Sequence, residues 1–172
     1  MRGVVVAVAA VLLTLTACSG GGSSSGATTT TLPMLRADLI PAGVAAVEAA
    51  RGGPQQYTEI NAFEGGVNLF VSTGDGSELA YVYHDGKLDP PPPAQAASGT
   101  PFATTGVALD AGPRLIKEVT TQLEGDVPVA IALVQRPQDG LVWDMTVIGA
   151  KGGQIDVLYT PQGTMLGVAA AQ

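Results

Sequence analysis

The chain has 172 residues, 8 basic against 15 acidic, a net charge of −7, and charged residues make up only 13% of it. A negative chain lacks the basic footprint that nucleic acid requires, so no nucleic-acid partner is expected. The single cysteine excludes an internal disulfide framework and the usual cysteine-rich zinc sites.

The N-terminus opens with Met1-Arg2, a minimal positive region, followed by an apolar run from Gly3 to Leu15. That run is too short for about 30 Å of hydrocarbon, which needs about 20 apolar residues. A positive start, a short apolar core and small residues ahead of a cut site make residues 1–17 an export signal. Ser19 to Thr31 is glycine, serine and threonine with one alanine. Such a segment cannot bury apolar surface, so residues 18–34 are expected to be a bare flexible tether; the alternative is a tether that carries sugar at Thr28 to Thr31.

The remainder, about 135 residues, suits one compact domain. Residues 35–89 read as a helix and three strands. In Ala37 to Arg51 the apolar stripe Ile40, Val44, Val47 has helical spacing, and Gly52-Gly53-Pro54 ends it. The strands are Gln56 to Phe63, Val67 to Ser72 and Ser77 to His84, with turns at Gly65-Gly66 and Gly74-Asp75-Gly76. Asp85-Gly86 is a tight-turn signal between Tyr83 and Leu88. Residues 90–109 begin with four prolines and read as a polyproline connector.

Residues 110–172 repeat the pattern. A helix runs from Asp110 or Pro113 to Leu123, striped by Leu115, Ile116, Val119 and Leu123. Val127 to Gln135 is apolar on both faces, which predicts a central strand covered on both sides. Leu141 to Ile148 turns Trp143, Met145 and Val147 inward, and Gln154 to Thr160 carries Ile155, Val157 and Tyr159 on one face. Met165 to Ala169 is an added edge strand. The fold class is therefore α+β, with two tandem units of one helix and three antiparallel strands in a single sheet-and-helix domain. Tyr81-Val82-Tyr83 before Asp85-Gly86 is echoed by Val157-Leu158-Tyr159 before Gln162-Gly163, which points to internal duplication.

The catalytic inventory is thin. His84, the only histidine, sits beside a turn, and no serine or lysine stands in a nucleophile motif. Asp75, Glu78 and Asp85 are the densest acids but lack a calcium-loop pattern. Asp144 and Asp156 read as isolated outward carboxylates rather than a glycosidase pair. No catalytic residue, metal or cofactor is assigned. Trp143, Tyr81 and Tyr83 are the large side chains that core packing or contact with a ligand or partner would use.

Leu15-Thr16-Ala17-Cys18 resembles the lipobox of bacterial lipoproteins. The resemblance implies that the Cys18 thiol receives a diacylglyceryl group, that a peptidase cuts before Cys18, and that the new amine is a further acylation site such as palmitate. The composition, rich in alanine, glycine, valine, threonine and proline, looks actinobacterial. The element order and the Tyr83 to Gly86 turn weakly resemble the PepSY-like domains of secreted bacterial proteins and the secreted beta-lactamase inhibitory proteins. The expectation is a non-catalytic envelope lipoprotein, held to the membrane through Cys18 on the extracytoplasmic side. Its expected partner is another envelope protein; the alternative is a carrier or sensor of a small apolar ligand or lipid.

Overall fold

The computed structural model describes residues 34–170 apart from 124. The expected signal segment, Cys18 and nearly all of the tether lie outside the described residues. No helix among the described residues is long and apolar enough to cross a membrane.

The fold is α+β: one 10-stranded sheet and two helices. A 3₁₀ turn, Ala37–Leu39, leads into α1, Ile40–Arg51. Pro41 sits in the first turn, where its missing N–H costs nothing, and Gly52, left-handed at φ 82°, closes the helix. β1 is Gln56–Phe63, β2 is Gly66–Ser72, β3 is Ser77–His84 and β4 is Lys87–Leu88. Asp85 and Gly86 both have positive φ, 49° and 75°, the geometry that a two-residue hairpin turn needs. The short strands β5 (Gln95–Ala96) and β6 (Phe102–Ala103) follow, then a 3₁₀ turn (Leu109–Ala111) and α2 (Gly112–Gln122). The second meander is β7 (Val127–Arg136), β8 (Gly140–Ile148), β9 (Gln154–Tyr159) and β10 (Met165–Ala170).

The strand order is β10-β9-β8-β7-β1-β2-β3-β4, antiparallel at every step. α1 precedes the meander β1-β2-β3-β4, and α2 precedes the meander β7-β8-β9-β10. The halves meet where the first strand of one pairs with the first strand of the other, Ile60 opposite Leu133 and Ala62 opposite Ile131. Both helices lie on one face. There they cover Ile60, Val67, Leu69, Val71, Ile131, Leu133, Trp143, Met145, Val147, Val157 and Tyr159. A Cβ on Gly43 would stand 3.3 Å from both Leu69 and Tyr83, and one on Gly112 would stand 2.7 Å from Ala37. These two glycines let α1 settle onto β2 and β3, and let the start of α2 abut the entry to α1.

Two expectations are corrected. β7 is central but is covered by helix on one side only; Ala130, Ala132 and Val134 on its other side are partly exposed. Its continuous apolar run reflects small residues on a helix-free face, not a second layer. The 90–109 segment is not a free connector either. β5 pairs with β3, β6 pairs with β1, and Phe102 packs 6.4 Å from the Tyr57 ring.

That strap is fastened by Glu78, whose carboxylate is 0% exposed. It accepts hydrogen bonds from Thr58 Oγ1 (2.6 Å), Gln95 Nε2 (3.0 Å) and the Ser98 amide (3.1 Å). Burial pushes its pKa up, but the bonds from Thr58, Gln95 and Ser98 outweigh burial and hold it below the ordinary carboxylate range. The lowered value means that Glu78 contributes stability above its unfolded pKa of about 4.3 and loses that contribution as pH falls through the folded value. Glu78→Gln should therefore cost about 2 kcal/mol at pH 7, with the deficit closing below about pH 4. Urea titrations of both chains at the two pH values read this directly; a deficit unchanged by pH contradicts it.

Tyr57 is also 0% exposed, and its hydroxyl has no hydrogen-bond partner among the described residues. An unpaired buried hydroxyl is a liability, so Tyr57→Phe should leave the domain unchanged or more stable, by up to about 1 kcal/mol. A loss of that size on urea unfolding would show that the hydroxyl is bonded.

Candidate functional site

The two sheet faces differ. The helix-free face carries two polar systems. In the first, Asn68 Nδ2 donates to Asn61 Oδ1 across the β1–β2 pair at 2.8 Å, and Asn61 donates on to Glu59. The second is centred on Arg136, the last residue of β7. Its guanidinium reaches Asp144 Oδ2 on β8 (2.6 Å from Nη2, 2.8 Å from Nε) and Asp156 Oδ2 on β9 at 2.8 Å. Thr146 Oγ1 donates to the other Asp156 oxygen at 3.1 Å.

This is a nearly closed ion cluster. Side-chain exposures are 17% for Arg136, 16% for Asp144 and 7% for Asp156. Arg136 starts opposite Gly140 and ends on Asp144, so its stem passes over the row that Val142 occupies. Val142 is accordingly 0% exposed although no helix covers its face. Burial raises the pKa of Asp144; Arg136 opposes this, while the charges of Asp156 and Glu59 add to it. Burial works against the Arg136 charge, but its bonds to Asp156 and Asp144 keep it raised and fixed. Asp144 Oδ1 is buried without a hydrogen-bond partner among the described residues. The sequence reading of two isolated carboxylates is corrected: both face away from the helices, and one arginine joins them.

Arg136 also walls a groove. A concavity of about 310 Å³ is lined by Arg136, Gln138 and Asp139 from the β7–β8 turn, by Leu158 on β9, and by Leu166 to Ala169 on β10. A smaller one, about 190 Å³, adjoins it at Arg136 to Asp139. The lining of the larger one is more polar than apolar, with Leu158 and Gly167, where a Cβ would meet nothing within 4 Å, as a small apolar patch. The β9–β10 turn beside it is pinned from outside: Arg114 Nη2 donates to Gly163 O at 3.1 Å, and the Ala108 amide donates to Pro161 O at 3.0 Å.

The large side chains singled out in the sequence do not form this site. Trp143 is 0% exposed and donates its indole N–H to Pro161 O at 3.3 Å; Tyr81 is 7% exposed. Both belong to the core, and Tyr83 is partly buried against it. His84 lies between Asp85 and Asp89, with Nε2 3.0 Å from Asp89 Oδ2. Those two carboxylates raise its pKa, Asp85 foremost. Asp75 caps its own turn, accepting from the Ser77 amide at 3.0 Å. No group of three or more His, Cys, Asp or Glu side chains among the described residues is placed to hold a metal.

Sequence reasoning missed the groove because its lining comes from three strands whose register no local pattern encodes. The signal available was the uncharged run from Val157 to Ala170, long for a surface hairpin. No protein-family model, no curated protein and no solved structure matches the chain.

Proposed function

We propose that the chain is a lipid-anchored protein of the bacterial envelope. In this reading it stands on the extracytoplasmic side and acts by binding another envelope protein rather than by catalysis. Diacylglycerol on Cys18 holds it to the membrane, since one or two acyl chains contribute about 0.8 kcal/mol per buried CH₂. The domain is a duplicated helix-and-meander unit: the two halves run in the same element order, and Tyr83 opposite Leu88 in one takes the place of Tyr159 opposite Met165 in the other.

The observation that carries the binding role is the groove beside Arg136. It joins a polar lining to a small apolar patch at Leu158 and Gly167, on the sheet face that the helices leave open. Anchoring of this kind suits a partner in the same envelope, because both are confined to one surface. A photo-crosslinking residue at position 138, in the full chain within its own envelope, should capture one discrete protein. The same residue at position 87, on the far edge of the sheet, should capture none. Recovery of nothing at 138 above the unirradiated control contradicts the proposal, and a product of twice the chain's mass assigns the contact to the chain itself.

The volume of the groove favours one rival. About 310 Å³ reaches the lower bound of small-molecule sites, about 300 Å³, as a carrier of a small apolar ligand or lipid requires. Native mass spectrometry of the chain taken from its envelope separates the two, since a carrier retains a non-covalent adduct.

A further inference from the structure

The two edges of the sheet are built differently. At the β4 edge the chain runs into Pro90-Pro91-Pro92-Pro93, residues with no N–H to offer an incoming strand, flanked by the charges of Asp85, Lys87 and Asp89. These are the devices that keep an edge from pairing. The β10 edge carries none of them beyond one irregularity between Met165 and Gly167. From Val157 to Ala170 no residue is charged, and β10 itself reads Met-Leu-Gly-Val-Ala-Ala. Three of its side chains are large, apolar and exposed: Met165 at 43%, Leu166 at 54% and Val168 at 55%. Val168 pairs with Val157, a core residue, so it projects to the helix side of the sheet, yet α2 packs over β7 and leaves it open.

We infer that β10 is a self-pairing edge: two copies of the chain join β10 to β10, antiparallel about a two-fold axis at Val168, into one continuous sheet. A two-fold at this position sets Val168 against its own copy and Gly167 against Ala169. The exposed valine of each copy is then covered by the other. Charge permits a second copy here, and the strip is self-complementary, apolar and uncharged on both copies. A chain of net charge −7 repels itself across most of its surface, and β10 offers an uncharged strip on which two acidic copies meet without like charges facing. Geometry favours closure. Pairing through one edge, with the other blunted by proline, makes a self-complementary contact that stops at two copies instead of growing into a fibre. The groove shares Leu166 to Ala169 with this edge, so the two readings use the same strand and are told apart by the crosslink at position 138, on the β7–β8 side of the groove.

The test uses the full chain in detergent, by sedimentation at matched solvent density, with Val168→Cys and Lys87→Cys variants treated with a mild oxidant. Directly opposed antiparallel residues lie about 4.5–5.5 Å apart at Cα, within the range a disulfide spans. The expected results are a dimer mass, a disulfide-linked dimer from Val168→Cys, and none from Lys87→Cys. The unsubstituted chain, which keeps Cys18, supplies the background. Val168→Lys should weaken association at least tenfold while leaving the far-ultraviolet circular dichroism of the folded chain intact, since the site is solvent-exposed. A monomer at every concentration overturns the inference. So does a dimer indifferent to Val168→Lys, or a Lys87→Cys crosslink as efficient as that of Val168→Cys. Loss of the dimer with the position-138 crosslink retained would remove the self-pairing edge and leave the partner reading standing.

Discussion

Replacing Arg136 with alanine should cost about 3–5 kcal/mol, the expected penalty for removing one member of a buried charge cluster. The reason is what it leaves behind. Asp144 and Asp156, 16% and 7% exposed, would face each other across neighbouring strands with no cation between them, and Asp144 Oδ1 already has no partner among the described residues. Val142 would also lose the stem that shields it. Against a total stability of about 5–15 kcal/mol for a domain, the loss is large and should lower the melting temperature by on the order of 10 °C or more.

Two controls identify the cause. In Arg136→Ala the pKa of Asp144, already raised by burial, loses the opposing Arg136 charge and rises further. The penalty is thus present above that raised value and relieved as pH falls toward 4. Substituting all three residues at once, with Arg136→Met, Asp144→Leu and Asp156→Leu, should restore stability to within about 1 kcal/mol or exceed it. If Arg136→Ala is as destabilising at pH 4 as at pH 7, the cluster's charge is not the cause, and lost packing over Val142 is.

Trp143→Ala should be as damaging, about 3–5 kcal/mol. Trp143 is the only tryptophan. It is 0% exposed, stands between Leu133 on β7 and Tyr159 on β9, and donates to Pro161 O. Removing the indole opens a void under the helices and releases the β9–β10 turn that bounds the groove. Unfolding of the variant has to be followed by circular dichroism, since the fluorescent residue is gone. A change below about 1 kcal/mol, too small for a buried indole, would mean that Trp143 is a surface contact after all. In the parent chain, burial predicts blue-shifted emission that quenchers in solution do not reach.

Both predictions concern residues that the sequence showed without showing their neighbours. The local elements were legible. Gln56–Phe63 and Ser77–His84 occur as read, because glycine turns bound them and apolar residues alternate within them. Ile40, Val44 and Val47 gave α1 its buried stripe. The class α+β followed from the same periodicities. What stayed hidden was long-range pairing. Nothing local says that β1 pairs with β7, and that seam decides which faces of the two meanders coincide. Arg136 lies 8 residues from Asp144 and 20 from Asp156, and only the β7–β8–β9 register brings them together. Glu78 read only as one of three clustered acids without a calcium-loop pattern, because its donors Thr58 and Ser98 each lie 20 residues away. The four prolines suggested a spacer, whereas Gln95 and Phe102 draw that segment back onto the sheet. The most specific sequence signal, the lipobox-like Leu15-Thr16-Ala17-Cys18, lies outside the described residues, so the proposed anchor rests on chemistry that the fold does not report.

The account turns on that sulfur. Intact-mass and peptide mass spectrometry of the chain isolated from its native envelope is therefore the most direct measurement. The expected species begins at Cys18 and carries a thioether-linked diacylglyceryl group, with or without an acylated amine. A chain that still begins at Met1 in the soluble fraction, or a Cys18 bearing a free thiol, would contradict the placement and with it the proposed role.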